Sequence, residues 1–439
     1  MSLPRYPEYN DCGLAWISKI PSHWRVLPLL GIARERCESN TGMKEENLLS
    51  LSYGRIVRKD MASNEGLLPE SFETYQIVRQ GDVVFRLTDL QNDQRSLRTA
   101  SVQEIGIITS AYLCVEPTRI DPGYFSYLLR AYDLSKVFYS MGGGLRQSMK
   151  YADVKRLPIL IPSHAEQVQI VAFLDHETTM IDALIAEQEK LIALLAEKRQ
   201  ATISHAVTRG LNPNAPMKDS GSRWLGKLPA PWSVRSISSL STKITNGYVG
   251  PTRDILVDEG VRYLQSLHIK NNAIRFESPY YVSEEWSEAH QKSILKERDV
   301  LIVQTGDIGQ SAVVTADFEG CNCHALIIVS PVHRELDGRW LSWVLNSDYG
   351  VHSLLSIQTG ALHPHLNCGN VKGLLVPLPS LLEQERIVEH IESVTSQFDT
   401  LVEDAERAIG LLKERRSALI TAAVTGQIDV RGLAKEVAA

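Results

Sequence analysis

One segment of this chain occurs twice, and its pattern predicts the fold. It reads IPSHAEQVQIVAFLD at residues 161–175 and LPSLLEQERIVEHIE at residues 378–392. Aligning residues 162–208 with 379–425, at an offset of 217, gives 20 identities in 47 positions, where typical residue frequencies give roughly three by chance. The chain therefore contains an internal duplication of domain size, too long a period for a solenoid repeat.

A second, shorter repeat precedes each copy. LAWISKIPSHWRV at 14–26 matches SRWLGKLPAPWSV at 222–234, and we call this shared pattern, Trp-x-x-x-(Ile/Leu)-Pro-x-x-Trp, the tryptophan motif. Between the repeats the similarity is sparse, apart from Asp82-Val83 with Asp299-Val300 and Val154-Lys155 with Val371-Lys372. The order tryptophan motif, variable domain, shared segment occurs twice, which predicts two domains built on one plan.

Each shared segment has the signals of one long helix. Ser163 with Glu166, and Ser380 with Glu383, have the spacing of a capping box, in which each side chain satisfies a free backbone N–H. Each segment ends at a glycine, Gly210 or Gly426. Neither contains proline in between, so we expect two helices of about 45 residues, each roughly 65–70 Å long.

Apolar residues recur along both segments in alternating steps of four and three, the spacing of a coiled-coil seam. The predicted seam residues are Ile170, Leu174, Ile181, Leu184, Leu191, Leu195, Ile387, Ile391, Val394, Phe398, Leu401 and Leu412. Helices this long and this charged need a partner, and chain connectivity makes an antiparallel pair with one domain at each end. The alternative is two separate surface helices.

This pattern predicts a mixed α/β (α+β) protein with two variable domains, two long antiparallel helices and an internal pseudo-two-fold. The expected segments are a first domain at 1–158, a first spacer helix at 159–210, a linker at 211–222, a second domain at 223–376, a second spacer helix at 377–428 and a tail at 429–439.

Composition is that of an ordinary globular protein. The 439 residues include 44% apolar residues and six cysteines, and we expect a reduced, cytoplasmic protein without a signal peptide or membrane span. The net charge is −6. Residues 164–210 carry −3 and residues 381–427 carry −4, which leaves +1 elsewhere. The acidity therefore lies in the two helical segments, and a DNA-facing surface elsewhere stays open.

The sequence contains only poor matches to known catalytic, cofactor-binding and metal-binding motifs. No Pro-Pro dipeptide occurs, which excludes an Asn/Asp-Pro-Pro-aromatic methyltransferase motif. GSRWLGKL at 221–228 nearly matches a phosphate-binding loop, but Leu228 stands where a hydroxyl is needed. CNCH at 321–324 is spaced too tightly for a usual zinc site. We expect neither catalysis nor a cofactor nor a metal in this chain.

Polar loops are the better candidates for function. RLTDLQNDQRSLR at 86–98 and GGGLRQSMKYADVKR at 142–156 offer arginine, lysine and amide groups, which suit phosphates and base edges. The second domain offers KITNGYVGPTR at 243–253, VQTGDIGQS at 303–311 and QTGALHPHLN at 358–367. The predicted DNA-contacting residues are Arg86, Gln94, Arg95, Arg98, Gly143, Arg146, Gln147, Ser148, Lys150, Asn246, Tyr248, Gln304, Thr305, Thr359, His363, His365 and Asn367. Solvated loops are the alternative.

The order and duplication of these motifs resemble the specificity subunits of type I restriction–modification systems over nearly the whole chain. The resemblance implies two target-recognition domains that each read one half of a bipartite, asymmetric site in double-stranded DNA. It implies that the helices set the gap between half-sites and dock modification subunits. Two such subunits are expected, in line with the duplication. Those subunits would bind S-adenosylmethionine and methylate adenine, and restriction subunits could join them.

Two other classes of function remain open from the sequence. One is a self-sufficient methyltransferase or nuclease with fused recognition domains, which would bind S-adenosylmethionine or cut DNA alone. The other is a coiled-coil protein scaffold, which would not be retained on DNA at moderate salt. The main prediction is a non-catalytic DNA-specificity subunit.

Overall fold

The computed structural model describes residues 3–60, 69, 71–88, 90, 97–141, 149–222, 224–360 and 364–433. The chain forms two compact units. Unit 1 comprises Met1–Gln188 with Glu406–Ala439, and unit 2 comprises Glu189–Ala405. Each unit thus combines one variable domain with half of each long helix. The predicted mixed fold class is confirmed, while the segment limits given above stay a prediction.

Unit 1 contains twelve strands among its described residues, and its core lies between the sheets, the helix at Pro122–Leu134 and the ends of the long helices. The strands are β1 (Tyr9–Leu14), β2 (Ile17–Pro21), β3 (Arg25–Pro28), β4 (Ala33–Glu35), β5 (Leu49–Ser52), β6 (Arg55–Arg58), β7 (Gln76–Val78), β8 (Val83–Phe85), β9 (Thr99–Ser101), β10 (Gly106–Ile108), β11 (Leu113–Pro117) and β12 (Pro158–Ile161). The helices are α1 (Pro122–Leu134), α2 (Val137–Met141), α3 (Tyr151–Val154) and the long α4 (His164–Arg209), which continues into unit 2.

Unit 2 follows the same plan with a different set of added strands. They are β13 (Met217–Asp219), β14 (Lys227–Pro229), β15 (Ser233–Ser236), β16 (Ser241–Asn246), β17 (Leu256–Val257), β18 (Val261–Leu264), β19 (Ile269–Lys270), β20 (Ala273–Ile274), β21 (Tyr281–Val282), β22 (Val300–Val303), β23 (Ser311–Val313), β24 (Asn322–Cys323), β25 (Leu326–Pro331) and β26 (Leu375–Leu378). Its helices are α5 (Glu284–Ala289), α6 (Gly338–Asn346), α7 (Asp348–Ser356), α8 (Cys368–Lys372) and the long α9 (Leu381–Val424).

The central sheets of the two units share one strand order despite their dissimilar sequences. The order is β4-β11-β8-β9 in unit 1 and β16-β25-β22-β23 in unit 2, with every neighbouring pair antiparallel. The shared Asp-Val pairs begin the equivalent strands β8 and β22. Asp82 accepts a hydrogen bond from the backbone N–H of Arg79 at 2.8 Å, and Asp299 accepts one from Lys296 at 2.9 Å.

The predicted long helices are confirmed, but only half of each capping box forms. The backbone N–H of Glu166 donates to Ser163 Oγ, and that of Glu383 donates to Ser380 Oγ, both at 3.3 Å. The glutamate side chains, predicted to bond their own serines, instead accept from the tryptophan motif. Trp24 Nε1 lies 3.1 Å from Glu166 Oε1. Trp232 Nε1 lies 3.0 Å from Glu383 Oε1.

The glutamine that follows each glutamate joins the long helix to its domain. In unit 1, Gln167 donates to the carbonyl of Pro162 at 3.0 Å and accepts from the backbone N–H of Asp121 at 2.8 Å. In unit 2, Gln384 donates to Pro379 at 3.0 Å and accepts from Asp337 at 2.9 Å. Asp121 and Asp337 are themselves the N-caps of α1 and α6. The repeated Glu-Gln pair therefore fixes each helix start to two parts of its domain.

In each unit the N-terminal half of one long helix pairs with the C-terminal half of the other, which is an antiparallel pair. Asp182 binds Arg416 at 3.0 Å in unit 1, and Arg199 binds Asp399 in unit 2. These four residues occupy two pairs of repeat-equivalent positions, 182 with 399 and 199 with 416. The same ion pair is therefore made in both units with the roles of the helices exchanged.

The predicted seam is only partly correct. Seven of its residues are buried: Ile170, Leu174, Ile181, Leu195, Ile387, Ile391 and Phe398. Val394 and Leu412 are half-buried. Leu184, Leu191 and Leu401 are wrong as buried seam residues, because they are 50%, 40% and 49% exposed. Burial concentrates where the helix ends enter the domain cores, which include Val207, Leu419 and Val424. Heptad spacing alone does not locate these ends.

Two glycines of α9 give opposite predictions. Gly410 lies within the helix with open space around its Cα, so Gly410→Ala should stabilise the chain by about 0.5–1 kcal/mol. Gly426 follows the helix at φ +72°, where an added Cβ would meet the ring of Pro21. Gly426→Ala should destabilise by more than about 1 kcal/mol. Urea unfolding of both variants checks this, and a destabilised Gly410→Ala variant would contradict it.

No helix in the described ranges is long and apolar enough to cross a membrane.

Candidate nucleic-acid interface

The two polar stretches of the first domain meet at the ends of its central strands. The backbone N–H of Met149, which follows the glycine-rich stretch, donates to the carbonyl of Leu87 just beyond β8, at 2.9 Å. Arg86 is half-buried and Lys150 is exposed. The other predicted residues of this surface lie outside the described residues: Gln94, Arg95, Gly143, Arg146, Gln147 and Ser148.

Arg98 requires a correction. We predicted a loop residue that contacts DNA, but its side chain is completely buried. Its guanidinium donates to the carbonyl of Thr88 at 2.9 Å and to the hydroxyl of Tyr139 at 3.1 Å. A guanidinium buried this way is held by its acceptors, so Arg98 fastens the base of the loop rather than reading DNA.

Asp133 binds the backbone at this arginine. Its carboxylate accepts from the backbone N–H of Thr99 at 3.2 Å and from that of Arg98. Burial raises the pKa of the Asp133 carboxyl to about 6, although these two N–H groups and nearby Arg130 act in the opposite direction. The C-terminal end of the polar loop, at Arg98 and Thr99, is therefore bonded to a buried, titratable group.

We predict a pH signature from Asp133. Because its pKa is higher in the folded chain, the folded state binds the proton more tightly, and stability falls as pH rises from about 4 to about 6. Asp133→Asn should remove that fall, worth roughly 2–3 kcal/mol. Unfolding free energies measured from pH 4 to 7 test it, with exposed Glu46→Gln as the control. A variant with the wild-type pH profile would contradict the assignment.

The three polar stretches of the second domain also converge. The backbone N–H of Leu366 donates to the carbonyl of Gln304 at 2.9 Å, and Cys368 Sγ lies 2.7 Å from Asn246 Oδ1. Residues 87 and 149 are equivalent to 304 and 366 at the offset of 217, so the Leu366 bond repeats the Met149 bond of unit 1. The structure brings together the loops that the sequence nominated.

Some of the predicted residues here have a structural task as well. Asn367 Oδ1 caps helix α8 by accepting from the N–H of Asn370 at 2.8 Å. Thr359 and His365 exchange two backbone hydrogen bonds of 2.9 Å across the loop. Thr305 is exposed on the neighbouring turn. His363 lies outside the described residues.

The side chain of Gln304 has an unsatisfied hydrogen-bond acceptor. Its Oε1 is buried and has no hydrogen-bond partner in the structure. Burying an amide oxygen without a donor costs free energy. The half-buried side chain of Gln304 lies just beyond β22, beside the Leu366 loop.

A cleft of about 530 Å³ opens beside Asn246 and Tyr248. Its opposite wall is the segment 288–293, which sequence reasoning missed. Tyr248 packs edge-on against Trp286 and His290, with ring centroids 5.0 and 5.2 Å away. Lys292 is exposed on that wall, and Lys243 Nζ donates to its carbonyl at 2.7 Å. The sequence signal that could have identified this wall is the polar run HQKS at 290–293, which lies outside the repeated segments.

The other nominated motifs have structural positions. Cys321 and Cys323 are buried in the core beneath this surface, and burial raises the pKa of both thiols. The near-match to a phosphate-binding loop forms part of the hairpin β13–β14, where Leu228 is buried. Within the described ranges, no group of three or more His, Cys, Asp or Glu residues is arranged to hold a metal ion.

Known proteins resemble this chain in sequence and fold. Residues 229–408 match the family described as the type I restriction modification DNA specificity domain. The type I restriction enzyme EcoBI specificity subunit of Escherichia coli is 23% identical over 278 residues, covering 62% of this chain and 58% of that protein. The MjaVIII specificity subunit of Methanocaldococcus jannaschii is 21% identical over 336 residues, covering 75% and 76%. The chain thus spans less than two thirds of the EcoBI subunit.

Two solved structures share the fold. A chain from a study of complex assembly and conformational transition of the type I R-M system aligns with a TM-score of 0.70 at 18% identity, covering 93% of this chain and 99% of that one. The HsdS subunit of Thermoanaerobacter tengcongensis aligns with a TM-score of 0.52 at 17% identity, covering 93% and 98%.

The chain shares the fold of these two structures. The family model and the relatives confirm the resemblance to type I restriction–modification specificity subunits that the sequence motifs indicate.

Proposed function

We propose that this chain is the DNA-specificity subunit of a type I restriction–modification complex, and that each domain reads one half of a bipartite site in double-stranded DNA. The observation that carries the proposal is the pair of equivalent sheets with dissimilar loops. Both sheets present polar stretches at the same strand ends, tied by the equivalent Met149 and Leu366 bonds. One scaffold with two different loop sets suits two different half-sites.

The reading residues we propose are those of the converging loops. They are Arg86 and Lys150 in the first domain and Asn246, Tyr248, Gln304, Thr305, Thr359 and His365 in the second. Amide and arginine groups match base edges in the major groove, and lysine matches phosphate. One domain of this size discriminates each base by roughly 1–3 kcal/mol, so two linked domains are needed for a rare site.

Methylome sequencing tests the proposal. A host that carries this chain with its modification subunit should acquire adenine methylation at one bipartite motif with a fixed unread gap. The same host without this chain should lose that motif. Methylation that needs no second subunit, or S-adenosylmethionine binding by the purified chain alone, would favour the self-sufficient enzyme. No DNA retention at moderate salt by the assembled complex would favour the scaffold.

We infer that the paired helices set the gap. One heptad added to both helices lengthens each by about 10 Å. That is close to three base pairs of DNA at roughly 3.4 Å per pair. The preferred gap in the methylome should then lengthen while both half-sites stay the same. An unchanged gap would contradict a ruler made by the helices.

Modification subunits are the partners we propose for the helices, and S-adenosylmethionine and the methyl transfer would belong to them. The exposed leucines on the long helices support a protein partner, because apolar side chains in the middle of a charged helix are otherwise costly to leave in water. We propose that the chain itself has no catalytic activity and that the assembled complex acts in the cytoplasm.

A further inference from the structure

One lysine occupies the same position in both variable domains. Val154-Lys155 and Val371-Lys372 are repeat-equivalent, although the loops just before them differ. Both valines are completely buried, so they anchor the short helices α3 and α8 to their domain cores. Lys372 is exposed and Lys155 is half-exposed. The shared pair thus places an ammonium group at one defined point of each domain.

That point adjoins the candidate interface. Helices α3 and α8 begin directly after the polar stretches, one residue beyond Lys150 and Asn367. Helical side chains lean toward the N-terminus of their helix, so a lysine at the C-terminal end of one turn leans back toward the loop. The Met149 and Leu366 bonds hold the starts of these helices against the ends of β8 and β22.

The electrostatics of the second domain agree with this placement. Burial raises the pKa of the Cys368 thiol, and the ammonium groups of Lys292 and Lys372 act in the opposite direction. Both lysines therefore lie near Cys368, whose thiol touches Asn246. Within the described part of the chain, neither Lys155 nor Lys372 forms an ion pair with a carboxylate. Their charge is available to an outside anion.

Three roles can be compared for a lysine kept in both domains. A base-reading lysine should differ between domains that read different half-sites. A structural lysine should be buried or paired. A backbone phosphate is the same beside every sequence, so a phosphate contact calls for the same charge in both domains.

We propose that Lys155 and Lys372 bind DNA backbone phosphates beside the two half-sites, as the sequence-independent part of each recognition surface. The proposal rests on the DNA-reading function proposed above and adds residues to it. Each lysine neutralises one phosphate and releases the counterions condensed on it, which makes its contribution depend on salt.

Salt-dependent binding tests it. The assembled complex is titrated with a duplex that carries the methylome motif, at several salt concentrations. Lys155→Gln and Lys372→Gln should each reduce the slope of log affinity against log salt by about 0.9. The loss should be equal on the native duplex and on duplexes with single-base changes. Lys→Met variants provide a second neutral substitution, and Lys→Arg variants should keep the wild-type slope.

Lys227→Gln is the matched control, because Lys227 is exposed on β14 in the tryptophan motif and loses the same charge. An unchanged slope for the glutamine and methionine variants would overturn the proposal. So would a changed order of preference among the single-base duplexes, since that would make the lysines base readers. A wild-type complex without any preference for the motif duplex would instead contradict the proposed function.

Discussion

Gln384→Ala is expected to destabilise unit 2 by about 2–4 kcal/mol, because the substitution removes one completely buried amide that serves three backbone groups. Its Nε2 donates to the carbonyls of Glu335 and Pro379, both at 3.0 Å, and its Oε1 accepts from the N–H of Asp337. Alanine leaves all three without that partner and opens a cavity at the start of α9.

Hydrogen exchange and urea unfolding would measure the loss and locate it in unit 2. Gln397→Ala is the matched control, because Gln397 is exposed on the same helix and its removal should change stability by less than about 0.5 kcal/mol. Gln167→Ala should cost less than Gln384→Ala, since Gln167 makes two of these bonds. A loss below about 1 kcal/mol at Gln384 would show that the repeated glutamine is not what joins helix and domain.

The Gln384 contacts also mark the limit of sequence reasoning. The duplication and the two long helices are local signals, and the sequence predicts them correctly. The partners of Glu383 and Gln384 lie at Trp232 and Asp337, far away in the chain, and no spacing rule connects them. The glutamate half of each predicted capping box is wrong for this reason, because a tryptophan N–H binds the carboxylate instead.

In the candidate interface too, the sequence predicts some features and misses others. Loops at equivalent offsets could be predicted to converge, since the repeats place them at equivalent strand ends. Burial could not be predicted, so Arg98 was taken for a loop residue although it lies in the core. The wall at 288–293 was missed because it lies in the part of the second domain that has no repeat counterpart.

The double variant Leu191→Asp with Leu401→Asp is expected to leave unit 2 folded. It should weaken the affinity for the modification subunit by roughly 100-fold or more. Both leucines belong to unit 2 and are 40% and 49% exposed, so little of their apolar area contributes to folding. If a partner helix covers them, each buried leucine contributes about 1–2 kcal/mol to association, and a buried aspartate would oppose it further.

Thr400→Asp is the control for one of the two added negative charges, since it places an aspartate at an exposed neighbouring position of α9 without removing a leucine. Ile391→Ala is the opposite control: Ile391 is completely buried in the unit 2 core, and its loss should cost about 2–5 kcal/mol of stability. Co-purification and unfolding measured on all the variants separate the two effects. If the double variant still binds the modification subunit as wild type does, the exposed leucines are not the docking surface. The four-and-three spacing of the helices then has no role beyond the buried seam residues, because the exposed leucines contribute neither to folding nor to assembly.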